Sequence, residues 1–84
     1  MAIWRLQTCK QHSGYRSTAS IYNNIRDGLW TKPVRISQRS VGWPSDEIEA
    51  INKARIAGAT DEQLRDLVNR LHDKRSSLLK EALA

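Results

Sequence analysis

The sequence predicts a mainly α chain with one small β-hairpin: a winged helix-turn-helix followed by two helices. Three observations carry this. Apolar residues recur at helical spacing as far as Asp27, alternate with polar ones between Val34 and Trp43, and return to helical spacing from Ile48 onward. Gly14, Gly28 and Gly58 fall where each helical stretch runs out. The chain has 84 residues, a length that buries only roughly 60–65% of its unfolded surface, so a single small core is expected.

Taken in order, Ile3-Trp4-Arg5-Leu6 reads as a short extended segment. Gln7 to Ser13 forms two helical turns with Leu6 and Cys9 inward, and Gly14 stops it, because glycine takes the left-handed conformation at a helix end without penalty. Arg16-Ser17-Thr18 offers hydroxyls for an N-cap. The helix that follows reaches about Asp27, with Ile21 and Ile25 four apart on its inward face, Thr18 near the same stripe and Gly28 after it. Helix, tight glycine-containing turn and second helix make the helix-turn-helix pattern.

Val34 and Ile36 flank Arg35, Val41 and Trp43 form a second alternating pair, and Ser37-Gln38-Arg39 breaks the run. This predicts a hairpin, with Pro33 at its start, where a missing N–H does little harm. Pro44-Ser45-Asp46-Glu47 reads as a helix start, with a serine N-cap and two acids facing the positive end of the dipole. Ile48, Ile51 and Arg55 share one face of this third helix, and Gly58 closes it. Thr60 and Gln63 have capping-box spacing. The last helix runs from about Asp61, with Leu64, Leu67, Val68, Leu71, Leu78 and Leu79 as its apolar stripe.

Positive charge is concentrated in one half. Residues 1–45 hold seven basic residues against one acid, Asp27, a local charge of +6, whereas residues 46–84 sum to −1. Such a footprint suits a polyanion. Enzyme chemistry finds no support: His12 and His72 lack metal-ligand partners at useful spacing, and no phosphate-cradling glycine loop or serine elbow occurs. Cys9 is expected to be a packed thiol rather than a nucleophile, and the acids of the last two helices have the spacing of solvated faces. Hence no catalytic residue, metal ligand or cofactor is expected. Trp4, Trp30 and Trp43 are expected to anchor the core or its hinges, since the chain has no Phe. Apolar runs stay far short of the ~20 residues of a membrane span, and MAIWRLQTCK contains no stretch of signal-peptide length. A bacterial cytoplasmic, nucleoid-associated protein without membrane contact is expected.

On a helical wheel with Ile21 and Ile25 inward, Asn23 lies almost opposite, flanked by Ala19, Ser20, Arg26 and Asp27. Arg16, Ser17 and Thr18 stand at the N-terminal end, where recognition helices reach base edges. Asn pairs with adenine and Arg with guanine in the major groove, and small hydroxyl residues permit close approach. The candidate recognition-helix residues are therefore Arg16, Ser17, Thr18, Ser20, Asn23 and Arg26. On the hairpin, Arg35, Gln38 and Arg39 are candidates for phosphate or minor-groove contact.

Arg5-Leu6, Ser13-Gly14, Ser20-Ile21-Tyr22, Ile25-Arg26-Asp27-Gly28, Lys32-Pro33-Val34, Ile36, Arg39-Ser40-Val41-Gly42-Trp43 and Asp46-Glu47-Ile48-Glu49 together resemble the AlpA family over roughly residues 3–56. These are small prophage-borne regulators with a winged-helix, MerR-like or excisionase-like fold. The resemblance implies sequence-specific binding of double-stranded DNA and control of prophage or genomic-island genes. It implies two alternatives for the protein partner: RNA polymerase, or a tyrosine integrase served by an excisionase (a recombination directionality factor). The chain departs from the family pattern at Leu29-Trp30-Thr31, where Phe-Pro is usual, and at Ile51, where an aromatic is frequent. Its turn over residues 14–19 is one residue longer.

The expected organisation is a DNA-binding unit over residues 1–57 and a C-terminal helix over 58–84, packed on that unit or used for self-association. In the last helix Lys74 and Glu81 interrupt the heptad begun by Leu64, Leu71 and Leu78, so a monomer or weak homodimer is expected. A protein-interaction adaptor working through this helix is the more distant alternative.

Overall fold

The computed structural model describes residues 2–84. Its elements are β1 (Ile3–Trp4), α1 (Leu6–Ser13), α2 (Thr18–Arg26), β2 (Val34–Ser37), β3 (Ser40–Pro44), α3 (Ser45–Ile56) and α4 (Asp61–Leu83). The mainly helical class, the hairpin and the two following helices are those the sequence predicts.

Local chemistry sets the boundaries. Gly14, Gly28 and Gly58 all have positive φ, and the Gly14 N–H donates to the Lys10 carbonyl at 3.2 Å, ending α1 in a left-handed cap. Ser17 caps α2, its hydroxyl accepting from the Ser20 N–H at 3.1 Å. Both halves of the Thr60–Gln63 capping box form, at 3.2 and 2.9 Å. Thr18 is exposed and does not join the inward stripe of Ile21.

The hairpin pairs Val34 with Gly42, Arg35 with Val41 and Ser37 with Ser40, with an irregularity between Arg35 and Ser37 that leaves Ile36 over. Gln38 and Arg39 form the turn. A third strand joins this sheet: β1 pairs antiparallel with β3, Ile3 opposite Pro44 and Trp4 opposite Trp43, giving the order β1-β3-β2. Gly42 lies in the middle strand where its neighbours crowd in. A Cβ there would stand 2.7 Å from Ile3 Cγ2, 2.9 Å from Ile36 Cδ1 and 2.9 Å from the Trp4 carbonyl oxygen. Only glycine admits both outer strands at this distance.

Three further expectations need correction. Ser45 is not the N-cap of α3. The strand runs straight into the helix, Pro44 takes the cap position, and Ser45 is held by Ala2, the residue ahead of β1: its N–H donates to the Ala2 carbonyl at 2.7 Å and its hydroxyl accepts from the Ala2 N–H at 3.2 Å. Glu47 does not lie on a solvated face. It is 4% exposed and bonded by Arg75 through Nε to Oε2 at 2.8 Å and Nη2 to Oε1 at 2.6 Å. Leu79 leaves the apolar stripe and is 60% exposed. The physical reason is length: 23 residues of α4 span about 35 Å at 1.5 Å per residue and outrun the 12 residues of α3 against which they pack.

The core gathers Cys9, Ile21, Trp30, Trp43 and Ile48, with Trp4, Leu6, Tyr15 and Ile25 packed around them. Ile51 from α3 and Leu64 and Val68 from α4 are buried as well. Trp43 is fixed by donating Nε1–H to the Thr31 carbonyl at 2.8 Å. Trp30 meets Tyr15 edge-on at 5.7 Å, and Trp4 stacks on His12 at 4.2 Å. The tryptophans thus serve as anchors of a core without Phe. Burial pushes the Cys9 thiol up to about 11, so it stays protonated and unreactive at neutral pH.

Candidate nucleic-acid interface

The outward face of α2 is built by turning Ile21 and Ile25 into the core. Opposite them Asn23 is exposed, as are Thr18, Ala19 and Arg26. Asn24, one residue on, turns inward: its Nδ2 donates to the Ser20 carbonyl at 2.7 Å and its Oδ1 accepts from Arg55 Nη2 at 3.3 Å. Arg55 also lies over the Tyr15 ring at 5.8 Å, tying α3 to the turn ahead of α2.

The hydroxyl candidates divide. Ser17 is engaged in the cap, and its Oγ lies 2.8 Å from Ser20 Oγ. Ser20 is half-buried, whereas Thr18 stands free at the first turn and Arg16 is exposed just ahead of the cap. Arg26 makes an exposed ion pair with Asp27 at 3.2 Å, a contact weak enough for a phosphate or base edge to displace.

On the wing, Arg35, Gln38 and Arg39 are all exposed, the last two at the tip. The helix and the wing are coupled at the wing's root. Tyr22, 43% exposed on α2, meets Trp43 of β3 edge-on at 6.4 Å. Arg5 joins this region by donating Nη2–H to Ser40 Oγ at 3.4 Å. In the sequence Arg5 is marked by its place in the basic half; its contact with Ser40 spans 35 positions and leaves no local signal.

Among the described residues no group of three or more His, Cys, Asp or Glu could hold a metal, and no helix is long and apolar enough to cross a membrane.

A capped helix with a polar outer face, set by a tight turn against a first helix and backed by a basic hairpin, defines a winged helix-turn-helix protein. The chain belongs to the AlpA family: the model of the family described as prophage CP4-57 regulatory protein (AlpA) matches residues 3–55. That match covers everything from β1 to the last turn of α3 and leaves α4 outside it. Searches of curated proteins and of solved structures found no match.

Proposed function

We propose that this chain is a sequence-specific double-stranded DNA-binding regulator of prophage or genomic-island genes. α2 lies in the major groove, with Asn23, Thr18, Arg26 and Arg16 toward base edges. Arg35, Gln38 and Arg39 of the wing reach phosphate or the minor groove. Ser17 and Ser20 act by holding the helix start close to the backbone. The observation that carries this reading is the conjunction of the exposed Asn23 face with a basic wing on one rigid core. All the excess positive charge of the chain lies in the half that builds them. Phosphate contacts supply affinity without sequence information, and the helix face supplies the choice of site.

Residues 1–57 serve as the DNA-binding unit and 58–84 as a helix packed on it, supported by the burial of Leu64 and Val68. The test is a gel shift against random duplex fragments at two salt concentrations, followed by selection of a consensus. The reading requires binding that weakens steeply with salt and a selected site that outcompetes a scrambled one. Absence of duplex binding at low salt would refute it.

A further inference from the structure

The segment from Asp27 to Pro33 joins the end of α2 to the start of β2, the two elements assigned above to DNA. Both of its ends are held by α4. Arg65 Nε donates to the Asp27 carbonyl at 3.0 Å, at the C-cap of α2. The stem of Arg65 lies over Gly28, its Cγ 3.4 Å from where a Cβ would stand. At the far end, the Lys32 N–H donates to His72 Nε2 at 3.0 Å, and the Lys32 carbonyl accepts from Arg75 Nη2 at 2.7 Å. Arg75 is in turn held by the buried Glu47 of α3. Residues 65, 72 and 75 are seven and three apart, so they form one stripe along α4 beside the buried Leu64 and Val68. Every one of these bonds to the connector is made to backbone, so they fix its path rather than any one side chain.

We infer that α4 is a positioning element for DNA reading: through Arg65, His72 and Arg75 it fixes the connector, and with it the register between recognition helix and wing. This rests on the duplex-DNA reading above. When two contact elements are joined by a rigid connector, the second contact follows the first at high effective concentration; a loosened connector lowers that concentration. Sequence-specific binding needs both elements in register at one site. Non-specific binding to phosphates does not.

Two variants test this without touching the DNA-facing residues. Arg65→Met keeps the stem over Gly28 and removes the donor to Asp27. The double variant Glu47→Gln with Arg75→Met removes the hold on the Lys32 carbonyl, keeps the net charge and leaves no buried unpaired carboxylate. Each is first checked by circular dichroism and melting, then measured well below its Tm. The duplexes are a site selected by the wild-type chain and its scrambled counterpart. Affinity for the selected site is expected to fall about tenfold, and that for the scrambled duplex by less than about twofold. Amide exchange at Thr31 and Lys32 is expected to speed up in the double variant, a readout that needs no DNA. Equal losses on both duplexes, or a wild-type preference that survives both variants, would overturn the inference alone. A wild-type chain that binds the two duplexes alike overturns the DNA reading, and this inference with it.

Discussion

Replacing Gly42 with alanine strikes the place where the wing is joined to the rest of the domain. The added Cβ would stand 2.7 Å from Ile3 Cγ2, 2.9 Å from Ile36 Cδ1 and 2.9 Å from the Trp4 carbonyl oxygen, against about 3.5–4.0 Å for an unstrained carbon–carbon contact. The two isoleucine ends can rotate away; the Trp4 carbonyl belongs to the β1 backbone and cannot move without loosening its pairing with β3. Overpacking of this kind costs about 1–3 kcal/mol, and the lower chain entropy of alanine returns about 0.5–1 kcal/mol. Because the Trp4 carbonyl is backbone and cannot give way, the upper part of that range applies, about 2–3 kcal/mol; the net loss is about 1–2.5 kcal/mol, and at about 4–8 °C per kcal/mol for a domain of this size Tm falls by about 4–20 °C. Thermal melting followed by circular dichroism measures it. Adding Ile36→Val removes the colliding Cδ1 and should restore part of the loss, whereas the backbone collision remains. A Tm for Gly42→Ala within about 2 °C of the wild type would refute the three-strand packing around this residue.

On the wing, Arg35→Ala or Arg39→Ala should weaken binding to all duplexes alike and reduce the slope of log affinity against log salt by about one; an unchanged slope would place the wing away from DNA. For oligomeric state, sedimentation at rising concentration should show a monomer at low micromolar levels, because Lys74 and Glu81 break the heptad; a tight dimer that is lost on truncation after Ala59 would contradict this. For pH dependence, His72 is held below its ordinary value of 6.5, first by burial, then by Arg75 and Lys32, against the opposing pull of Glu47 and Asp73. Its neutral form is the one the fold favours, so this contribution is fully present above pH 6.5 and is lost as pH falls through the lower folded-state value. Between pH 7 and pH 5, Tm should therefore fall further in the wild type than in His72→Gln, which keeps an acceptor that does not titrate; equal falls would show that the bond to Lys32 contributes nothing.

The local features of this fold were legible in the sequence because they depend on neighbours a few residues apart. The change of period at Val34, the capping box at Thr60 and the glycine stops all rest on such spacing, and all three appear in the structure. What was not legible is non-local. The pairing of β1 with β3 joins residues about 40 apart through a strand too short to alternate. Glu47 meets Arg75 across 28 positions, and on a wheel Glu47 is indistinguishable from a solvated first-turn acid. Ser45 has the residue type and place of an N-cap, yet its hydroxyl is taken by Ala2, which only the third strand brings there. Of the candidate interface, the exposure of Asn23 follows from the wheel. The coupling of helix to wing through Tyr22, Trp43 and the α4 bonds does not, because it depends on tertiary packing.

The central claim is that the outer face of α2 reads bases, and Asn23→Ala tests it most directly. The substitution removes no charge, and at an exposed helical position alanine is slightly favourable by propensity, so folding should be intact. Affinity is measured on the selected site and on a scrambled duplex under identical salt. A loss of about 1–3 kcal/mol on the selected site is expected, with relaxed choice at one base position and almost unchanged binding to the scrambled duplex. Equal losses on both duplexes, or no loss on either, would contradict the assignment of this face to the major groove.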